Sequence, residues 1–256
     1  MMTSEPQLKK EIVHFSHKLY AKGFVANHDG NISVRVQNKL WATPTAQSKG
    51  DVSEEMLVGV DLSGKKISGS HAVFSEMDLH VACYRLRPDI SVVIHAHPPV
   101  TTAFAASHQR LSPIFIAEAI VTLGDQIPLV PFISPGCENT EKILKPFLEH
   151  ADALLLENHG VLVVGKTLAQ TYYRLELMEH LAQIEWHAKT VGGIKPLSPE
   201  IVQQQLIKRQ KSGLGSLSAP ISSKSAPSAV TMKENASQLD SYLKSIVEEE
   251  LSKILR

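Results

Sequence analysis

Twelve histidines stand out in this chain of 256 residues, and the spacing of three of them bears on chemistry. His95-Ala96-His97 follows directly on the β-branched run Ile90–Ile94, which reads as a buried strand. Side chains two apart on a strand point to one face, so both imidazoles can reach a single metal ion. His159 stands in Glu157-Asn158-His159-Gly160, between the apolar runs ALLL and VLVV, where a sharp turn is expected. Glu76, in the first turn of a helix opened by Ser75, offers an oxygen ligand or a general base. Three imidazoles and a carboxylate suit zinc or another borderline divalent ion, and a displaceable carboxylate leaves a position open for substrate.

The elements that must position these groups are legible around them. Gln7–Gly23 carries Ile12, Val13, Phe15, Leu19 and Tyr20 at helical spacing, with Gly23 placed to end the helix. Gly30–Val36 alternates as a half-buried strand should, Lys39–Thr43 and Met56–Val60 are strand-like, and Leu62–Gly69 has the turn chemistry of a hairpin. Ser75 is a good N-cap with Asp78 three positions on, and its helix runs to Arg87, where Pro88 stops it. Ala153–Val164 holds further strand, Leu168–Val191 a long amphipathic helix, and Ser198–Gln210 a short helix with Pro199 at its first position.

Bulk composition excludes several classes. Apolar residues at 43% and charged residues at 20% allow a sizeable core and rule out wholesale disorder. Lys+Arg and Asp+Glu balance at 26 each, so no electrostatic footprint for nucleic acid or an anionic membrane is present. The two cysteines, Cys83 and Cys137, make no disulfide framework and suit a reducing cytoplasm; no signal peptide or membrane-spanning run is expected. Cys83 reads as a small core residue, Cys137 as a loop residue, His80 as structural and His71 as a candidate substrate contact.

In order, GNISVR (Gly30–Arg35), TPT (Thr43–Thr45), Ser75-Glu76 with His80, RPDISVVIHAH (Arg87–His97) and ENHGVLVVGKTL (Glu157–Leu168) resemble the class II aldolase/adducin family, closest to its L-fuculose-1-phosphate aldolase members. The resemblance covers roughly residues 7–210. It implies a three-layer α/β/α fold around a mostly antiparallel central sheet, in a C4 homotetramer with active sites at subunit interfaces. His95, His97 and His159 match the family's zinc ligands, and Glu76 the carboxylate that ligates the resting metal and then acts as acid and base. Asn31, Thr45 and Ser75 match positions that hold the substrate phosphate. The implied reaction cleaves a ketose 1-phosphate of the L-fuculose or L-rhamnulose type into dihydroxyacetone phosphate and lactaldehyde. The chain departs from the family at Phe74, usually serine, at Ala46, usually glycine, and over Ile116–Val121, where Ala117-Glu118-Ala119 replaces the usual catalytic tyrosine. Within the same fold, a pentulose-phosphate 4-epimerase or a sugar-phosphate decarboxylase or dehydratase are the alternatives. A non-catalytic adducin-like scaffold fits less well, because binding alone has no use for four metal-directed side chains.

Residues 1–211 read as that domain. From 212 to 237, 16 of 26 residues are Ser, Ala, Pro or Gly, the composition of a flexible linker. Residues 238–256 place Leu239, Tyr242, Leu243, Ile246, Val247, Leu251, Ile254 and Leu255 on one stripe of an expected amphipathic helix. Linker and helix together resemble the encapsulation peptides that carry enzymes into bacterial microcompartments. That implies a shell or cargo partner and a location in the microcompartment lumen within the cytoplasm; self-association of the helix is the alternative.

Overall fold

Alternation along the strands sorts the layers. In β1 (Asn31–Val36), Ile32 and Val34 join the main apolar core, while Asn31, Ser33 and Arg35 face the opposite way. β5 (Val92–Ala96) does the same with Val92, Ile94 and Ala96. It pairs antiparallel with β1 so that Asn31 sits opposite His95 and Ser33 opposite Val93. Against the apolar face pack α1 (Glu5–Ala21), α3 (Pro99–Ala106) and α6 (Leu168–Thr190). The other face carries α2 (Met77–Leu86) and α5 (Thr140–Leu148), which pack on each other; α5 also meets β6 and β7, and α2 meets β1 through Ser33. Burying side chains such as Ile32, Ile94 and Val163 completely contributes roughly 1.5–3 kcal/mol each.

The computed structural model describes residues 4–215; the helix expected over 238–256 and all of the 212–237 segment beyond Gly215 lie outside the described residues. With β2 (Lys39–Ala42), β3 (Val58–Asp61), β4 (Lys66–Ser68), β6 (Leu129–Val130), β7 (Ala153–Leu156) and β8 (Gly160–Gly165), the sheet runs β4-β3-β2-β1-β5-β8-β7-β6. Every pairing is antiparallel except β6 with β7, so the α/β/α architecture on a mostly antiparallel sheet is the one observed. Two further helices, α4 (Ala117–Leu123) and α7 (Pro199–Lys211), pack on each other. No helix among the described residues is long and apolar enough to cross a membrane.

Several boundaries differ from expectation. The Ile90–Ile94 strand begins later, at Val92, because Arg87 grips Asp89 at 2.7 and 2.8 Å and Ile90 closes a turn onto the Arg87 carbonyl. It also runs on to Ala96, which brings His95 into the sheet. The residue at the N-cap of α2 is Glu76, not Ser75, and Asp78 accepts from the Gly136 amide at 3.0 Å instead of closing a capping box. Within Met56–Val60, Met56 ends a single 3-10 turn (Glu54–Met56) and the strand starts at Val58. Helices α3 and α4 and strand β6 carry no clear periodic signal; α5 buries Thr140, Ile143, Leu144, Phe147 and Leu148 at helical spacing but holds Pro146, a residue that argues against a helix.

Candidate metal centre and active site

One end of the sheet gathers the chemistry. His95 is the next-to-last residue of β5, His97 lies just past the strand, and His159 sits in the turn joining β7 to β8. That turn is tight: Asn158 takes the left-handed conformation, φ 51°, which asparagine tolerates better than most residues. Gly160 must be glycine there, because a Cβ would lie 2.5 Å from the Ala96 carbonyl and 2.6 Å from the His97 ring. Close approach of the two strand ends is thus what sets His159 beside His97.

One ring nitrogen from each of His95, His97 and His159 can be chosen so that the three lie within 4.8 Å of one another. His95 Nδ1 is 2.9 Å from the Val161 carbonyl, so it carries the proton and Nε2 presents a lone pair to the cluster. His97 Nδ1 stands 3.4 Å from Asp29 Oδ2, which fixes its Nε2 in the same sense. These two Nε2 atoms are 2.9 Å apart, and two lone pairs directed at one point are a metal-ligand arrangement. Glu76 completes the set, its Oε1 lying 2.8 Å from His159 Nε2 and 3.6 Å from His95 Nε2. The donor set therefore fits zinc or another borderline divalent ion.

Glu76 is held by a ladder between β1 and α2. Two residues along a strand span about 6.6 Å and one helical turn about 5.4 Å, so residues i, i+2, i+4 of the strand can meet i, i+4, i+8 of the helix. Asn31 Nδ2 donates to Glu76 Oε2 at 2.8 Å. Ser33 Oγ meets His80 Nδ1 at 2.6 Å and Tyr84 Oη at 2.9 Å, and the Arg35 guanidinium lies 5.3 Å from the Tyr84 ring. His80 is fully buried, and burial pushes its pKa down to about 3, so it stays neutral, as a structural residue should.

Burial works to raise the Glu76 carboxyl, but the His159 hydrogen bond, the nearby imidazoles and Asn31 outweigh it and hold it well below the usual carboxylate range. Desolvation dominates at His95 and His97 and lowers both, which keeps them neutral and available as ligands. A loop over Ile133–Pro135 lines the cleft beside Glu76 and His159.

Of the positions matched to phosphate binding, Asn31 is buried with its amide committed to Glu76, Thr45 is half-buried and Ser75 exposed. Asn31 opens β1 and the other two stand on separate loops, and no hydrogen bond among the described residues joins the three side chains directly. The Thr45 amide does tie its loop to the Ala72 carbonyl at 3.1 Å. His71 is half-buried and bonded to its neighbour Ser70 at 3.1 Å. Cys83 is fully buried, as expected of a core residue. Sequence reasoning passed over Asp29, the orienting partner of His97, and Lys49, which is buried in the loop that follows Thr45. Asp29 adjoins the Gly30-Asn31 turn and Lys49 stands among turn residues, so each reads as a solvated loop charge.

Residues 10–186 match the family described as Class II Aldolase and Adducin N-terminal domain, and the chain belongs to it. Among curated relatives, an L-fuculose phosphate aldolase of Methanococcus vannielii is 31% identical over 175 residues, 68% of this chain and 93% of that protein. A 3-oxo-tetronate 4-phosphate decarboxylase of Pectobacterium atrosepticum is 29% identical over 189 residues, 72% of this chain and 85% of its own. A solved L-fuculose 1-phosphate aldolase superposes with a TM-score of 0.74 at 26% identity, covering 82% of this chain and 98% of the other. By family, fold and relatives, the protein is a lyase of the class II aldolase type.

Proposed function

We propose that the protein is a zinc-dependent aldolase that cleaves a ketose 1-phosphate of the L-fuculose or L-rhamnulose type into dihydroxyacetone phosphate and lactaldehyde. The observation that carries this reading is the Glu76 carboxylate lodged among three imidazoles, 2.8 Å from His159, with Asn31 holding its other oxygen. His95, His97 and His159 would hold the ion, with Glu76 as a displaceable fourth ligand. Bound there, a divalent ion supplies Lewis-acid polarisation of the ketose carbonyl and stabilises the negative charge that carbon–carbon cleavage leaves behind.

The remaining work falls to the chain's own groups. Freed from His159, Glu76 is the proton carrier at C3 of the dihydroxyacetone-phosphate half, and its low basicity at rest favours the ionised form needed to accept a proton. Asn31 keeps one carboxylate oxygen in place while the other moves. The Thr45 and Ser75 hydroxyls, with Asn31, serve the phosphate. A decarboxylase reading draws on the Pectobacterium relative and uses the same residues, so the product distinguishes the two.

The test is cleavage of L-fuculose 1-phosphate and L-rhamnulose 1-phosphate, before and after zinc removal, with both products followed separately and a Glu76→Gln variant alongside. Zinc-dependent release of both products, lost in the variant, is the expected outcome. Zinc-dependent release of carbon dioxide from a keto acid phosphate, without ketose cleavage, would replace the aldolase by the decarboxylase.

Family resemblance also supports a C4 homotetramer with sites at subunit interfaces. The Ser/Ala/Pro-rich segment and apolar stripe of residues 212–256 support a role as microcompartment cargo, where enclosure of a reactive aldehyde makes chemical sense. Deleting residues 238–256 is expected to leave turnover intact and abolish co-purification with shells; loss of turnover instead would assign the segment to the active site.

A further inference from the structure

Lys49 is buried to 1% exposure in the loop that follows Thr45, yet it makes no ion pair among the described residues. Its Nζ donates to the Gln47 carbonyl at 3.0 Å and the His28 carbonyl at 3.2 Å, which uses two of its three donors. The carboxylates whose charge it feels are Asp29 and Glu76, and both spend their close contacts on His97 and His159. Lys49 thus bridges the loop that leads to Asn31 and the loop that carries Thr45. The Thr45 amide ties the second of these to the segment before Ser75.

Charge decides what such a lysine does. A buried ammonium without a carboxylate partner is costly to the fold, so carbonyl bracing alone is a poor reason for one; a neutral donor would brace as well. In the ion-loaded site, Asp29 and Glu76 offset a divalent cation, and Lys49 is left as the net charge. We infer that Lys49 is the charge that makes the site select an anionic substrate: its ammonium sets the positive potential under the Asn31, Thr45 and Ser75 loops, where a phosphate monoester binds. It acts through those loops and through the field, as a positioning and specificity residue, and the inference rests on reading the loops as the phosphate grip. Burial lowers its pKa to about 8, against the pull of Asp29 and Glu76, which still leaves it largely charged at neutral pH.

The experiment measures binding of inorganic phosphate to the zinc-loaded full chain by calorimetry, for wild type, Lys49→Met, Lys49→Gln and Lys49→Arg. Loss of one buried charge is expected to weaken phosphate by about 10- to 100-fold in the Met and Gln variants, while Arg stays within about threefold. In turnover, the Met and Gln variants are expected to raise KM for a ketose 1-phosphate while leaving kcat, and the kinetics of the unphosphorylated ketose, nearly unchanged. Gln keeps the hydrogen bonding and provides the reading if Met does not fold. Equal phosphate affinity in all four proteins would overturn the role of Lys49 and leave the aldolase reading standing. An equal fall for phosphorylated and unphosphorylated ketose would make Lys49 a loop brace only. Absence of phosphate binding in wild type, with unphosphorylated ketose still cleaved, would remove the phosphate grip and Lys49 with it.

Discussion

Two buried clusters of charge lie in this domain, and they are built on opposite rules. Around Asp152, 1% exposed, stand Arg87 at 2.9 Å, Arg174 at 2.8 Å and Arg209 at 2.7 Å. The surplus positive charge is absorbed: Asp89 takes Arg87 in a bidentate grip, and the guanidiniums also donate to carbonyls at the end of α5 (Leu148), in the last turn of α4 (Val121, Thr122) and on β8 (Val164). Helix C-termini carry partial negative charge, so this cluster is closed electrically as well as sterically. It ties the end of α2, together with α6 and α7, to the ends of α4 and α5 and to β8, and among its buried guanidinium nitrogens Arg174 Nε alone lacks a partner within the described residues.

At the other end of the sheet, Glu76, Asp29 and Lys49 never pair with one another. The carboxylates face imidazoles, two imidazole lone pairs face each other, and the lysine rests on carbonyls. Such a cluster is left short of a cation at one point and of an anion at another. Buried charge that is fully answered holds the fold, and buried charge left poised marks where ligands belong.

Substitutions can break this contrast. Glu76→Gln is expected to lower kcat for ketose cleavage by about 10²- to 10⁴-fold with Tm little changed, because it removes a proton carrier and keeps the shape. Asp152→Ala is expected to behave in reverse, destabilising the fold by about 3–5 kcal/mol in urea unfolding while zinc binding persists below the transition. A catalytic loss without a stability loss at Asp152 would reverse the assignment of the two clusters.

Lys49 sharpens the comparison through pH. Its pKa in the fold, about 8, lies below the ordinary lysine value, so the charge disappears as pH rises through about 8. KM for a phosphorylated ketose is therefore expected to climb above about pH 8 in wild type, and to stay flat over that range in Lys49→Arg. Stability moves the other way: between about pH 8 and 10.5 the unfolded chain holds the proton that the folded chain has released, so the lysine's burial cost fades as pH rises. Lys49→Met is accordingly expected to melt at or above the wild-type Tm near neutral pH. The smallest effect is expected from Ser33→Ala, which removes the middle rung between β1 and α2. A loss of about 1–2 kcal/mol in stability should come with less than a tenfold fall in kcat, since Asn31 still holds Glu76.

How much of this was legible in the sequence follows the range of the interactions. The histidine pair on a β-branched strand, the turn histidine before glycine and the helix-start glutamate are local patterns, and the fold brings all four side chains together. The mostly antiparallel sheet was implied by the family resemblance and not by strand periodicity, and the order of its strands was not read from the sequence. By contrast, Asp152 meets Arg87 across 65 positions and Arg209 across 57, and no spacing rule announces such partners. Lys49 was invisible for a related reason. A lysine between Ser48 and Gly50 looks solvated until two loops close over it. Helices α3 and α4 escaped notice because they are short and rich in alanine and threonine, with little apolar contrast between faces, whereas α5 has apolar residues at helical spacing that Pro146 interrupts.

The contrast between an answered and a poised cluster is tested most directly by metal content. Full-length wild type, Asp152→Asn and His95→Ala would be equilibrated with zinc, passed through a desalting column and measured by elemental mass spectrometry. One zinc per chain in wild type and in Asp152→Asn, with none in His95→Ala, is the predicted result. Wild-type protein that retains no zinc, or His95→Ala protein that retains as much as wild type, would contradict the account.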